Sequence, residues 1–176
     1  MKKILSVFLM IFSFSVFAAG QKAAAAKTTP DPTAEIKSTF ERLLEGIRQS
    51  DADKVMSVYE NSPRTLFFNN NGTVTIGWQT MLENRKSLYE KTKNVTLEVS
   101  GVRIEMLGPS AAYLTAKWKQ SQEFDGKPEN ASGRMTLIFR KIGKQWKIVH
   151  AHTSPDAPAA NRPVLPSERP DTQSEK

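Results

Sequence analysis

The sequence contains no cysteine and only two histidines among its 176 residues. Without cysteine the chain can form no disulfide, and it can have neither a catalytic thiolate nor a cysteine-ligated zinc site. With two histidines, carboxylates would have to complete any metal site. We therefore predict no metal site and no cofactor, and we expect a hydrophobic core to supply the stability.

Long runs of basic residues are also missing, although the formal net charge is +7. Lysines and arginines are scattered among acidic residues along the chain, a pattern that is typical of a solvated surface. The charge distribution therefore predicts no nucleic-acid partner.

The N-terminal segment, residues 1–20, has the organisation of a secretory signal peptide. A start with two lysines precedes an apolar run at 4–17, and small residues follow at 18–20. The apolar run is shorter than the roughly 20 residues that a membrane-spanning helix needs. We therefore predict signal cleavage, a periplasmic or secreted protein, and no stable membrane insertion after cleavage. An uncleaved N-terminal anchor is the alternative.

Composition divides the remainder of the chain into three parts. Residues 21–32, QKAAAAKTTPDP, are rich in alanine, threonine and proline, which predicts a flexible linker. Residues 155–176 contain five prolines and few large apolar groups, which predicts a disordered tail. The segment between them, residues 33–154, is long enough for one domain with a core.

Helical periodicity dominates the first half of this domain. Asp31 before Pro32 is typical of a helix N-cap, and apolar residues then recur at helical spacing over residues 36–47. Two further helices are predicted. Their apolar faces are formed by Val55, Val58 and Tyr59 and by Trp78, Met81, Leu82, Leu88 and Tyr89.

Strand patterns dominate the second half. Asn70-Asn71-Gly72 lies between two β-rich runs and predicts a hairpin, and four long antiparallel strands follow. In the first of them the apolar parity switches at Ser100-Gly101, which predicts a β-bulge. That bulge would keep six residues on one face: Val95, Leu97, Val99, Val102, Ile104 and Met106. The order of elements predicts an α+β fold with helices on one face of a bent sheet.

Four segments resemble the SnoaL-like branch of the nuclear-transport-factor-2-like superfamily: NNNGTVTIGWQTM, AAYLTAKW, FDGKP and GRMTLIFRKIGKQWKIVHAHTS. The last segment is also similar to the association domain of calmodulin-dependent kinase II, which ends in a similar run from Trp to His-x-His-x-Ser. The resemblance covers residues 33–154. It implies a cone-shaped fold, in which a curved antiparallel sheet packs on three helices around a concave pocket, and a homodimer formed through the outer face of the sheet.

Activities within this superfamily are diverse, so fold alone does not assign one. The steroid isomerases use an aspartate base with a tyrosine and a protonated aspartate. Here the first hairpin has Leu66-Phe67-Phe68-Asn69 at the position of the base, and the four long strands contain no aspartate. The catalytic residues are therefore unknown. Our first hypothesis is an exported domain that binds a small, partly apolar molecule in the cone without strong catalysis. The alternatives are an isomerase, lyase or hydrolase that uses a pocket histidine as base, and an oligomerisation module.

Five residues are predicted to contact the ligand: Tyr113, Trp118, Arg134, His150 and His152. The two histidines are alternate residues of one strand and share a face, so we place them at the pocket rim. Arg134 begins an otherwise apolar strand and can pair with an anionic group, although an arginine directed away from the sheet is equally compatible. For the two aromatic residues, a position in the core is the alternative.

Overall fold

The structure is a computed structural model that describes residues 31–156. The predicted signal peptide, most of the predicted linker and residues 157–176 of the predicted tail lie outside the described residues. No helix within residues 31–156 has the length and apolar character needed to cross a bilayer.

Three helices precede the long strands. They are α1 (Pro32–Arg48), α2 (Ala52–Ser57) and α3 (Trp78–Glu90). The predicted N-cap is confirmed, because the Asp31 carboxylate accepts a hydrogen bond from the Thr33 backbone N–H at 2.9 Å. The prediction that Tyr59 belongs to the second helix is wrong. The Glu60 N–H donates to the Ile148 carbonyl and the Ile148 N–H donates to the Val58 carbonyl, both at 2.9 Å. This strand-like pairing takes the place of a further helical turn.

Six strands form one sheet in the order β2-β1-β6-β5-β4-β3. They are β1 (Leu66–Phe68), β2 (Val74–Ile76), β3 (Thr92–Met106), β4 (Ala111–Phe124), β5 (Lys127–Ile142) and β6 (Gln145–Pro155). The sheet is mixed rather than antiparallel throughout, since β1 runs parallel to β6. Strands joined by a tight turn must be antiparallel, but β1 and β6 are distant in the chain and no turn restricts their direction.

The predicted bulge in β3 is confirmed by a register shift that follows Ser100, with Gly101 at φ 62°. Leu97 before the shift and Ile104 after it thereby lie on the same face, opposite residues of β4. Val102 is the exception to the prediction. It lies within the bulge and is 42% exposed.

The sheet has an inner face that packs on the helices and an outer face on the other side. Buried inner-face side chains include Ala112, Leu114, Ala116, Trp118, Met135, Leu137, Phe139, Trp146 and Ile148, which pack in one core with α1. The outer face carries Leu66, Phe68, Val74, Ile76, Tyr113, Thr115, Lys117, Arg134, Thr136, Ile138, His150 and His152. The curved sheet and its helices confirm the predicted α+β cone.

Candidate functional site

The structure separates the five predicted ligand residues. Tyr113, Arg134, His150 and His152 lie on the outer face, and Trp118 alone lies on the inner face. Ile138 on β5 is aligned with Tyr113 on one side and with His150 on the other. The five residues therefore do not converge on a single pocket, and whether any of them binds a ligand stays a prediction.

The two histidines flank an exposed phenylalanine. The ring centroids of His150 and His152 lie 5.2 and 5.5 Å from that of Phe68, each in an edge contact. His150 Nδ1 lies 3.0 Å from the backbone oxygen of Leu66. A carbonyl oxygen can only accept, so Nδ1 carries the proton and Nε2 is the basic nitrogen. We placed both rings at the pocket rim. In the structure they lie on the outer face of the sheet, and whether they contact a ligand stays a prediction.

Metal-binding geometry has no support in the part of the chain that the structure describes. Within residues 31–156, no group of three or more histidine, aspartate and glutamate side chains is arranged to hold an ion. Arg134 is also a surface residue. Its side chain is 62% exposed and forms an ion pair with Asp156 at 3.4 Å, a type of contact that contributes little to stability.

Trp118 differs from the other four residues because its indole is buried. An added Cβ at Gly133, the paired residue on β5, would lie 2.9 Å from the indole ring, so the glycine makes room for it. The Nε1–H of Trp118 is buried and has no hydrogen-bond partner within the described residues. A buried donor without an acceptor costs free energy. The indole N–H of Trp118 is therefore a polar group inside an apolar interior.

A second set of polar groups, which the sequence analysis missed, lies where α3 packs towards the inner face. Arg85 is half-buried between Met81 and Tyr89, which are one helical turn away in either direction. Its Nη1 donates to Tyr89 Oη at 3.4 Å, and its guanidinium carbon lies 5.9 Å from the centre of the Tyr89 ring. The signal in the sequence was a charged residue inside an apolar helical stripe, which is uncommon.

Tyr59 completes this set, which we call the Tyr59–Arg85–Tyr89 cluster. Its ring is buried, with its centroid 5.0 Å from that of Phe67. Burial raises the pKa of Tyr59 to about 12, and the positive charge of Arg85 acts in the opposite direction. The hydroxyl therefore stays protonated at neutral pH and can donate a hydrogen bond.

Two clefts open elsewhere on the described surface. One, of about 420 Å³, lies at the β4–β5 turn and is lined by polar residues that include Asn94, Glu123 and Asn130. The other, of about 180 Å³, lies between α1 and the β5–β6 turn and includes Arg42 and Trp146. None of the five predicted ligand residues lines either cleft, and neither cleft reaches the Tyr59–Arg85–Tyr89 cluster.

Comparison with known proteins agrees with this architecture. The SnoaL-like domain profile matches residues 36–159, and the chain belongs to the SnoaL-like domain family. No match to a curated protein is found. A solved nuclear transport factor 2-like superfamily protein from Salmonella enterica serovar Typhimurium is 25% identical, with a TM-score of 0.66 over 73% of this chain and 93% of that one.

Two more distant structures share the fold. A ketosteroid isomerase-like protein from Erwinia carotovora atroseptica is 15% identical, with a TM-score of 0.63 over 74% of this chain and 100% of that one. A candidate calcium/calmodulin-dependent protein kinase II association domain from Xanthomonas campestris is 16% identical, with a TM-score of 0.60 over 75% of this chain and 92% of that one. The predicted membership of the superfamily is thus confirmed.

Proposed function

We propose that this protein is an exported SnoaL-like domain that binds a small, partly apolar molecule between α3 and the inner face of the sheet. The observation that carries the proposal is the Tyr59–Arg85–Tyr89 cluster, in which Tyr59 packs on the buried Phe67 and Arg85 lies one helical turn from the buried Met81. Ligand sites are commonly apolar with a few placed polar groups of this kind. The indole N–H of Trp118, which has no partner within the described residues, also lies on this side of the sheet and supports placing the ligand there.

Binding without strong catalysis is favoured over acid–base chemistry in the cone. Both histidines lie on the outer face, across the sheet from the cluster. The long strands β3 to β6 contain no aspartate that could act as a base. An isomerase, lyase or hydrolase dependent on a histidine would have to act at the outer face.

The binding proposal can be tested by a thermal-shift screen of the mature protein against small lipids and ketones. We expect at least one compound to raise the melting temperature in proportion to its occupancy, as ligands that bind only the folded state do. Tyr59→Phe and Tyr89→Phe should reduce that shift, whereas Tyr113→Phe on the outer face should leave it unchanged. Absence of any shift across the panel at millimolar concentration would contradict binding in the cone.

Self-association is a second candidate, and a specific observation favours it. On the outer face, Phe68, Val74 and Ile76 are 38, 57 and 63% exposed and lie side by side across β1 and β2. Adjoining exposed apolar side chains mark interaction surfaces. We propose that a second copy of the chain covers them in a homodimer. Light scattering should then give twice the protomer mass, and Ile76→Glu should give the monomer, while Glu98→Gln should not. A monomeric wild-type protein at high concentration would exclude this dimer.

Export is the remaining part of the proposal. Residues 1–30, fused to a reporter that is active only outside the cytoplasm, should direct secretion. The mature N-terminus should lie between Ala19 and Gln21. Full-length soluble protein that retains Met1 in the cytoplasm would contradict export.

A further inference from the structure

Arg85 occupies a position where an apolar residue is expected. Trp78, Met81 and Leu82 precede it on the same stripe of α3, and Tyr89 follows it. Removing a guanidinium from water is costly unless an acceptor compensates it. A half-buried arginine in such a stripe therefore needs a partner that offsets this cost.

Two other arginines show what such an acceptor looks like in this structure. Arg140 donates twice to the Glu60 carboxylate, at 2.6 and 2.7 Å. Arg48 donates twice to the backbone oxygen of Leu97, at 3.2 and 3.1 Å. Within residues 31–156, no carboxylate lies within 4.0 Å of Arg85. Among the same residues, its one hydrogen bond is the 3.4 Å contact with Tyr89.

The tyrosines grouped with Arg85 add hydrogen-bond donors and no negatively charged acceptor. Tyr89 accepts from Arg85 through its oxygen, which leaves its own hydroxyl proton free to donate. Tyr59 adds a second phenol, whose ring packs at 5.0 Å on Phe67 and whose hydroxyl is protonated at neutral pH. The cluster thus offers a guanidinium fork and two hydroxyl donors, and no carboxylate among residues 31–156 pairs with the guanidinium.

We propose that the Tyr59–Arg85–Tyr89 cluster binds the carboxylate, or an equivalent oxyanion, of an amphipathic small molecule. The apolar part of that molecule would pack against the inner face, beside Phe67 and Met81. A guanidinium matches a carboxylate bidentately, which explains why the stripe contains arginine. This inference rests on the proposed function, since it names the chemical class of the ligand for the same interior.

Access to the cluster requires a local rearrangement. Neither described cleft reaches it, and the Arg85–Tyr89 contact is long for a hydrogen bond. Because Arg85 is half-buried, its side chain can turn towards an anion that arrives from solvent. We expect that anion to replace the weak contact with Tyr89 by two shorter, charge-assisted bonds.

The test compares octanoate with 1-octanol, which have the same chain length but differ in charge. Affinities for the mature full-length protein are measured at pH 7.5 by NMR titration, which detects millimolar binding. We expect the affinity for octanoate to be at least about tenfold higher than the affinity for 1-octanol. Arg85→Gln should weaken octanoate binding about tenfold and change 1-octanol binding less than about twofold. Arg103→Gln, the same change on an exposed part of β3, should leave both affinities unaltered.

Two results would overturn the inference while leaving the proposed function intact: equal affinity of the wild-type protein for both probes, or octanoate binding that Arg85→Gln does not weaken. Failure of both probes, together with an unresponsive screen of lipids and ketones, would contradict the proposed function itself. If Arg85→Gln does not fold, which circular dichroism would show, the wild-type comparison of the two probes still decides.

Discussion

The two faces of the sheet differ in whether their polar groups have hydrogen-bond or ion-pair partners. On the inner face, the indole N–H groups of Trp118 and Trp146 are buried without partners in the described structure. On the outer face, Arg134 is paired with Asp156 and His150 with the Leu66 carbonyl. The face with the tighter core thus retains the less satisfied polar groups. This contrast favours the inner side for a ligand and the outer side for contact with another protein surface.

The difference also shows how strongly a function assignment depends on strand parity. Lys117 and Trp118 are consecutive in β4, yet Lys117 is exposed on the outer face and Trp118 is buried inside. Each bulge reverses the parity that follows it. One such irregularity in β6, beside Ile138, determines the side on which the histidines lie.

The largest expected effect is loss of an inner-face aromatic side chain. Trp146 is 2% exposed, so Trp146→Ala should leave a large cavity and reduce the free energy of unfolding by about 3–5 kcal/mol. On the outer face Lys117 is exposed, and Lys117→Ala should change the free energy of unfolding by less than about 0.5 kcal/mol. Urea denaturation of both variants measures the difference. Similar midpoints would mean that the two faces are packed alike.

An alkaline titration tests the burial of Tyr59 on the inner side of the sheet. Burial raises the pKa of Tyr59 to about 12, whereas an unfolded tyrosine ionises near pH 10. The stabilisation linked to the buried, neutral Tyr59 hydroxyl is therefore fully present below pH 10. It is lost as the pH rises towards 12, because Tyr59 ionises at a lower pH in the unfolded state than in the folded state. The expected loss is about 2–3 kcal/mol.

The readout is the free energy of unfolding between pH 9 and 12, and its slope should be shallower for Tyr59→Phe than for the wild type. Identical slopes for Tyr59→Phe and the wild type would show that Tyr59 is not shielded from water.

A smaller effect is expected where the inner face approaches the backbone of β6. A Cβ at Gly133 would overlap the backbone oxygen of Ser154 and lie 2.9 Å from the Trp118 ring. Gly133→Ala should therefore destabilise by about 1–3 kcal/mol through overpacking. Ser132→Ala, one residue earlier and directed to the outer face, should be nearly neutral. If Gly133→Ala is equally neutral in thermal melts, the strands have room to separate.

Sequence patterns predicted the fold well because the spacing of apolar residues indicates which face of a helix or strand is buried. The N-cap at Asp31 and the bulge at Gly101 both follow from local rules and are confirmed. The Tyr59–Arg85–Tyr89 cluster was not predicted, for two physical reasons. The pairing of Tyr59 with Ile148 is non-local and cannot be derived from residues near Tyr59. Arg85 was passed over because the helical face was defined by its apolar members, although its spacing from Met81 and Tyr89 placed it among them.

The smallest effects are expected from the histidines of the outer face. His150→Ala removes the 3.0 Å contact with the Leu66 carbonyl and should cost about 1 kcal/mol. His152 is exposed and its ring contacts Phe68 at 5.5 Å, so His152→Ala should cost less. Denaturant melts should therefore rank Trp146→Ala, His150→Ala and His152→Ala in decreasing order of destabilisation. A chelator should leave the wild-type midpoint unchanged, because the pair serves strand pairing and surface packing. A lower midpoint on chelation alone would instead identify the two histidines as ligands of a stabilising metal ion.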